Sequence, residues 1–414
     1  MRKVYTALTL SLPVLFIGLV TLHAQEGDTL TTAMQKKPYT VTASLREEYD
    51  DNIFTSNVNK KGSFKTDISP SILLNYPLDQ TLLSFRYTFD GTYYNDRPGN
   101  QFDQSHEFVG RINQSFSSRF NLDARERFRY SQEPELFDSA STLFRNGDYI
   151  NNTVSLQFNA QWTPKFGTVT TYTNDFYSYD DSTVAFDENR DVNSVSQDFR
   201  FLVMPTVTFV ANVTFEDVAY DQIQRSYDNY ILDVGADWTA TPQLTLTARV
   251  GASITDEGSN NIGSSGGPFL SPYAMLSANW VLGARSLLEA SYTHSISQTD
   301  IATAYAQETD TITLGFKYQI TPRLSAHIQG IATHGDYTGN LNAFNSSIAG
   351  QNNALIGQQG NFSEDVASVD LSMAYKYDEY VSFDAGYTYT IVSSGITLRD
   401  YDRNQVYVGV RGTY

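Results

Sequence analysis

Six arginines, Arg46, Arg86, Arg111, Arg125, Arg127 and Arg129, are the side chains of this sequence most open to a chemical role. Arg125, Arg127 and Arg129 hold alternate positions, and a period of two puts side chains on one face of a β-strand. Phe120, Leu122, Ala124 and Phe128 hold the opposite parity, so the arginines share their face with Asn121 and Asp123. By the same parity, Arg46, Arg86 and Arg111 lie on that face of the first, third and fourth strands. Guanidinium groups keep their charge at any ordinary pH. Lined along one wall of a polar passage, they guide an anionic solute by charge, without making or breaking bonds. A plainer reading is favoured: the arginines pair across strands with Glu48, Asp90, Glu107 and Asp123. Glu126 is the one misfit, a carboxylate on the lipid-facing parity, tolerable only near the outer rim or beside a basic neighbour.

Other chemistries find less support. The chain has no cysteine, which excludes a disulfide scaffold, a thiolate metal centre and a thiol nucleophile. Past the first 24 residues the histidines are His106, His294, His327 and His334; none forms a ligand pair at metal spacing. No G-x-S-x-G elbow occurs. The Gly-rich stretch 263–267 lacks the strand-to-helix setting of a phosphate loop and reads as an outer loop. Asp50, Asp51, Asp180, Asp181, Asp256 and Glu257 would suit a divalent cation by charge, but no loop has the D-x-[DN]-x-[DN]-G spacing, so solvation is expected. No enzyme, cofactor or metal site is expected. A formal net charge of -18 argues against nucleic acid and against anionic membrane surfaces as partners.

The elements that must position the arginines follow from the same alternation. Phe64, Thr66, Ile68, Pro70, Ile72, Leu74 and Tyr76 hold every second place, as do Val154, Leu156, Phe158, Ala160 and Trp162, and Ile312, Leu314, Phe316, Tyr318 and Ile320. No sustained helical periodicity is found. The segments run to about ten residues or more, the length of a tilted strand crossing a bilayer, where soluble strands are nearer five or six. Short turns such as Thr163-Pro164-Lys165, Ala240-Thr241-Pro242-Gln243 and Thr321-Pro322-Arg323 recur at roughly 40-residue intervals. Between them lie longer polar loops at 95–104, 133–148, 180–191, 256–268 and 337–362. Short turns on one side and long loops on the other predict an all-β, transmembrane, antiparallel up-and-down β-barrel of about 18 strands, with periplasmic turns and extracellular loops. A barrel of that size leaves room for an aqueous channel.

The 414 residues show no linker, and 41% hydrophobic with 14% aromatic residues suits strands that are apolar on one side only. Arg2 and Lys3 precede the apolar run 7–20 and a small residue at Ala24, so residues 1–24 read as a cleaved signal peptide. Residues 25–37 are then a short periplasmic tail and 38–414 the barrel. At the other end Val406, Val408, Val410, Gly412 and Tyr414 alternate up to a final aromatic. This resembles the C-terminal signal read by the barrel assembly machinery of the outer membrane, where the chain would meet lipid and lipopolysaccharide.

The stretch Glu47-Glu48-Tyr49-Asp50-Asp51-Asn52-Ile53-Phe54 closes the first strand. It resembles the start of the putative beta-barrel porin 2 family, whose members run from a strand into a Tyr-x-Asp-Asn-aliphatic turn. The resemblance implies an outer-membrane barrel without catalytic residues, and for several relatives a place beside periplasmic polysaccharide-export components, passing exopolysaccharide outward. The expected function is a porin-like channel for exopolysaccharide or another polar or anionic solute; lumen aromatics such as Tyr407 offer faces for stacking on sugar rings. The competing expectation is a non-conducting surface barrel whose long acidic loops bind an extracellular partner.

Overall fold

Alternation builds this molecule. On the strand Tyr39–Asp50 (β1), Tyr39, Val41, Leu45 and Tyr49 are exposed, while Thr40, Glu48 and Asp50 are buried on the other face. Such a strand is inside out for a soluble sheet; in a membrane barrel the exposed apolar face meets lipid and the polar face lines the lumen. The computed structural model describes residues 37–132, 135–137, 142–144, 147–222, 225–257, 268–299, 306–338, 363–395 and 399–414. The expected signal peptide, nearly all of the tail and the stretch 263–267 fall outside the described residues.

The strands that follow are β2 (Ser63–Pro77), β3 (Thr81–Tyr94), β4 (Phe102–Ser115), β5 (Phe120–Ser131), β8 (Tyr149–Thr163), β9 (Phe166–Tyr179), β10 (Arg190–Met204), β11 (Val207–Tyr220) and β12 (Tyr227–Thr241). They continue as β13 (Leu244–Glu257), β14 (Phe269–Val281), β15 (Ser286–Ser297), β16 (Ala306–Thr321), β17 (Leu324–Thr338), β18 (Ser363–Lys376), β19 (Val381–Ser394) and β20 (Tyr401–Thr413). Between β5 and β8 a small separate hairpin pairs β6 (Glu135–Phe137) with β7 (Thr142–Phe144). The other strands form one 18-stranded antiparallel sheet. β1 pairs with β2 on one side and with β20 on the other, so the sheet closes on itself. The barrel strands are 12 to 16 residues long, and the expected fold class is the observed one. No helix among the described residues is long and apolar enough to cross a membrane; the strands cross it.

The short turns have a common local cause. Thr163 Oγ1 accepts the amides of Lys165 and Phe166, Thr241 Oγ1 those of Gln243 and Leu244, and Thr321 Oγ1 those of Arg323 and Leu324. A Thr side chain that takes up two following N–H groups mimics a backbone turn, and the proline after it presets the bend. Each of these three turns also carries a register shift beside the threonine. The opposite ends of the strands are joined by longer segments, and there the structure departs from the sequence reading: a helix of seven residues, α1 (Ser182–Glu188), follows β9. Asp181 caps it by accepting the Thr183 and Val184 amides.

The clusters of packed apolar residues are small and sit at this outer end. Val184 and Ala185 of α1 pack with the lumen-facing Tyr149 and Tyr179. Val192, Val218, Tyr220, Tyr227 and Ala306 form a second cluster, and Val366, Val392 and Tyr401 a third. Below them the interior is mostly polar, with single buried apolar side chains such as Leu73, Val109 and Val210.

Candidate functional site

The lumen wall is fixed strand by strand through register. β4 and β5 pair so that Phe108 lies opposite Phe128 and Ile112 opposite Ala124, all on the lipid face. The remaining parity places Arg125, Arg127 and Arg129 of β5 on the lumen side with Arg111 of β4. Arg86 of β3 and Arg46 of β1 share that side. All six arginines therefore face inward. Successive arginines on β5 are roughly 7 Å apart along the strand, two residues at the usual rise.

Their partners differ. Arg46 Nη2 is 3.3 Å from Asp384, Arg86 Nη2 is 3.2 Å from Glu107, and Arg111 Nη2 is 2.7 Å from Asp123. Cross-strand pairing thus holds for these three, with Arg46 finding Asp384 of β19 in place of Glu48. Glu48 instead takes Lys65 at 2.5 Å, and Asp90 accepts from Ser69 and Ser105. Arg111 and Arg125 are register partners, like charges set opposite each other. Arg111 leans away to the diagonal Asp123, which also accepts from Asn113. Arg127 has neutral partners: its Nη2 donates to Asn151 Oδ1 at 3.0 Å and to Thr153 Oγ1 at 3.4 Å. Asn151 and Thr153 in turn donate to Asp175 Oδ1 at 2.8 and 2.7 Å. Asp175 is thus linked to Arg127 through either of two neutral side chains.

The sign of the lumen charge varies around the barrel. On β3 to β5 the inward side carries Arg86, Arg111, Arg125, Arg127 and Arg129 together with Asp90, Asp103, Glu107 and Asp123. On β10 to β12 it carries Asp198, Glu216, Asp233 and Asp237, with Arg200 bound to Asp237 at 2.6 Å. Carboxylates offset most of the arginine charge on β3 to β5, whereas on β10 to β12 they outnumber the arginines, so the net lumen charge differs between the two walls.

Several sequence expectations are corrected here. Tyr407 does face the lumen, but the Arg46 guanidinium lies 4.0 Å from its ring centroid, and the residue is only 7% exposed; packing occupies the ring that would have stacked on a sugar. Glu126 is on the lipid parity as expected, yet its neighbour is an amide and not a base: Asn152 donates to it at 3.1 Å. Of the acids considered for a cation, Asp50 is fully buried against Arg403 and Lys65, Asp51 accepts from Asn404, and Asp181 caps α1. Among the described residues no cluster of His, Asp and Glu is arranged to hold a metal.

Sequence reasoning missed three arginines that fold outer segments inward. Arg97 makes a bidentate pair with Asp103 at 2.5 and 2.6 Å and stacks on Tyr94. Burial works against its charge, but the Asp103 hydrogen bonds and charge outweigh that and hold its pKa above the ordinary value. Arg225, 1% exposed, stacks on Tyr220 and meets Glu188 at 3.3 Å. Arg399 donates to the buried Glu364 at 2.8 Å. The available signal was a lone arginine in each of three polar segments, 95–101, 221–226 and 395–400.

A family model described as putative beta-barrel porin 2 matches residues 39–414, the whole barrel. The chain belongs to the putative beta-barrel porin 2 family. As a porin 2 barrel it is an outer-membrane protein of porin-like build, and the Tyr49-Asp50-Asp51-Asn52-Ile53 stretch that carried the resemblance lies at the outer end of its closing seam. No curated protein matches it. Among solved structures it is similar to OpdK of Pseudomonas aeruginosa, with 10% identity, 91% of this chain and 99% of that one covered, and a TM-score of 0.47. For OccK2 (OpdF) of the same organism the identity is 10%, the coverage 91% and 97%, and the TM-score 0.49. For the siderophore receptor PirA, also from that organism, the figures are 10%, 92% and 81%, and 0.46. These likenesses carry no substrate over to the porin 2 barrel.

Proposed function

We propose that this barrel is a passive outer-membrane channel that favours anionic polar solutes, guided along Arg125, Arg127 and Arg129. The observation that carries the reading is Arg127, inward-facing and bound to the neutral Asn151 and Thr153. A guanidinium that is not directly neutralised keeps a field in the lumen that an anion senses. Arg86, Arg111 and Arg46 are ion-paired, and their part is to hold the wall. The solute class extends to an acidic exopolysaccharide, the polymer suggested by the family resemblance, moving outward after export of the barrel through its signal peptide.

Planar-bilayer recordings on the purified barrel test this. Replacing Arg125, Arg127 and Arg129 with Gln lowers the anion-to-cation permeability ratio; an unchanged ratio overturns anion guidance. Block of the current by an acidic oligosaccharide, weakened in the same variant, supports the polymer. Liposome swelling with small sugars separates the channel from a closed surface barrel, which shows none.

A further inference from the structure

One seam of the barrel is incomplete. β14 and β15 pair from Ala274↔His294 to Val281↔Leu287, eight residues on each strand. The next shortest seam, β1 with β20, pairs over nine. Continued in register, the ladder sets Tyr273 opposite Ser295, Pro272 opposite Ile296 and Ser271 opposite Ser297, and none of these pairs forms. Both strands nevertheless run on. β14 stays paired with β13 as far as Thr255↔Phe269, and β15 with β16 as far as Ser297↔Gln307. The wall therefore parts above His294, at its outer end.

Two features account for the parting. Pro272 has no amide N–H to give to a ladder. On the other side, Arg225 donates to the Thr299 carbonyl at 2.7 Å, just past the end of β15, and to the Asp187 carbonyl of α1 at 2.5 Å. That clasp ties the outer end of β15 toward the mouth while β14 stays with β13.

Open sheet edges facing hydrocarbon are costly, because their backbone groups have no water to bond. The floor of this opening is polar. Ser271 Oγ donates to Glu308 Oε1 at 2.5 Å, reaching past β15 to β16, and His294 Nε2 lies 2.9 Å from the same oxygen. The sides are apolar. Phe269, on the lumen parity of β14, and Ile296, on the lipid parity of β15, pack against the one buried cluster that includes Val218, Tyr220 and Tyr227. Leu270, 70% exposed, stands next to Phe269 on the lipid face. Apolar side chains thus stand on both sides of the parting, Phe269 and Ile296 toward the mouth and Leu270 toward the lipid.

We infer that the parting between β14 and β15 is a lateral portal, through which the alkyl chain of a single-chain amphiphile passes between the barrel mouth and the outer leaflet. The polar head rests on the floor made by Ser271, His294 and Glu308 while the chain lies along Phe269 and Ile296. This path is separate from the axial route guided by charge, and either can fail without the other.

The chain has no native cysteine, so pairs can be placed at will. Spin labels at Leu270→Cys and Gln298→Cys, which a continued ladder sets opposite each other, show no strong dipolar broadening in lipid vesicles. Labels at Leu276→Cys and Tyr292→Cys, register partners in the formed ladder, show it. Equal broadening in the two pairs means a closed seam and overturns the portal. The second readout is photolabelling with a diazirine-bearing long-chain fatty acid. The lumen-side Tyr227 is labelled, and a disulfide between Ser271→Cys and Ser297→Cys reduces that labelling severalfold until it is reduced. Absence of label at Tyr227, or label indifferent to the disulfide, overturns the proposal. Swelling with small sugars, measured on the same vesicles, stays unchanged by the disulfide and judges the axial route on its own. Should the stapled protein fail to fold, the spin-label pair still decides.

Discussion

Arg403 near the start of the last strand grips Asp50 at the end of the first, with Nη2 2.5 Å from Oδ2 and Nε 3.1 Å from both carboxylate oxygens. Lys65 adds a second cation to Asp50 at 3.3 Å. Beside them, Asp51 accepts the backbone and side-chain amides of Asn404, and Asn52 donates to the Asp402 carbonyl. The Asp-Asp-Asn run is thus a clasp across the seam where β1 meets β20. The short sequence that carried the family resemblance closes the barrel.

Breaking the clasp from one side leaves charge buried. Asp50→Asn takes from Arg403 the buried carboxylate it grips and leaves Lys65 with Glu48, and removing one member of a buried pair costs about 3–5 kcal/mol. Urea unfolding in lipid vesicles, followed by heat-modifiable migration, is expected to show that loss. The double variant Asp50→Asn/Arg403→Gln recovers part of it, because the stranded guanidinium is gone. A single variant as stable as the parent contradicts the clasp.

Glu126 lies on the lipid face of β5 with only the Asn152 amide for company. Glu126→Leu alone removes a lipid-facing carboxylate but leaves that amide without its acceptor, so the two effects oppose each other. Glu126→Leu/Asn152→Leu removes both groups and is expected to raise stability by about 1 kcal/mol or more, since polar groups gain little in hydrocarbon. Parallel urea titrations of the single and double variants check the order.

The barrel and the wall were legible for a local reason. Parity along one strand, as at Arg125, Arg127 and Arg129, depends on nothing beyond the strand, and the Thr-Pro turns act within three residues. What could not be read depends on distant partners. Arg225 meets Thr299 at a separation of 74 residues, and Arg46 passes over Glu48 to reach Asp384 at a separation of 338. The seven residues of α1 are too few to display a helical period. The parting above His294 depends on one proline and a long-range clasp, neither of which disturbs the alternation of β14 or β15.

Asp175 offers a prediction opposite in sign to loss of the arginines. It accepts from Asn151 and Thr153, which accept from Arg127. Asp175→Asn removes the only carboxylate of this chain of contacts while the arginine stays. The lumen field becomes more positive, and the anion-to-cation permeability ratio rises. Reversal potentials in a salt gradient read it directly, and the rise shrinks at high ionic strength as exposed charge is screened. A fall in the ratio contradicts the assignment of Arg127 as the charge that the solute senses.

Arg225 holds three outer segments through one side chain: the Asp187 carbonyl and Glu188 of α1, the Tyr220 ring beneath it, and the Thr299 carbonyl beyond β15. Burial opposes its charge, yet Tyr220 and Glu188 outweigh burial and hold its pKa above the ordinary value. It is therefore charged at every pH the outer membrane meets, and the clasp has no titrating step in it. Arg225→Gln keeps some donors but loses the charge beside Glu188, itself 3% exposed and 3.4 Å from Arg190. We expect α1 to loosen from Tyr149 and Tyr179, so that limited proteolysis cuts within 180–189 and single-channel current becomes noisier. The strands below remain intact, so heat-modifiable migration is unchanged. Proteolysis and noise equal to the parent's contradict a holding role for Arg225; loss of the folded band instead places it in barrel closure.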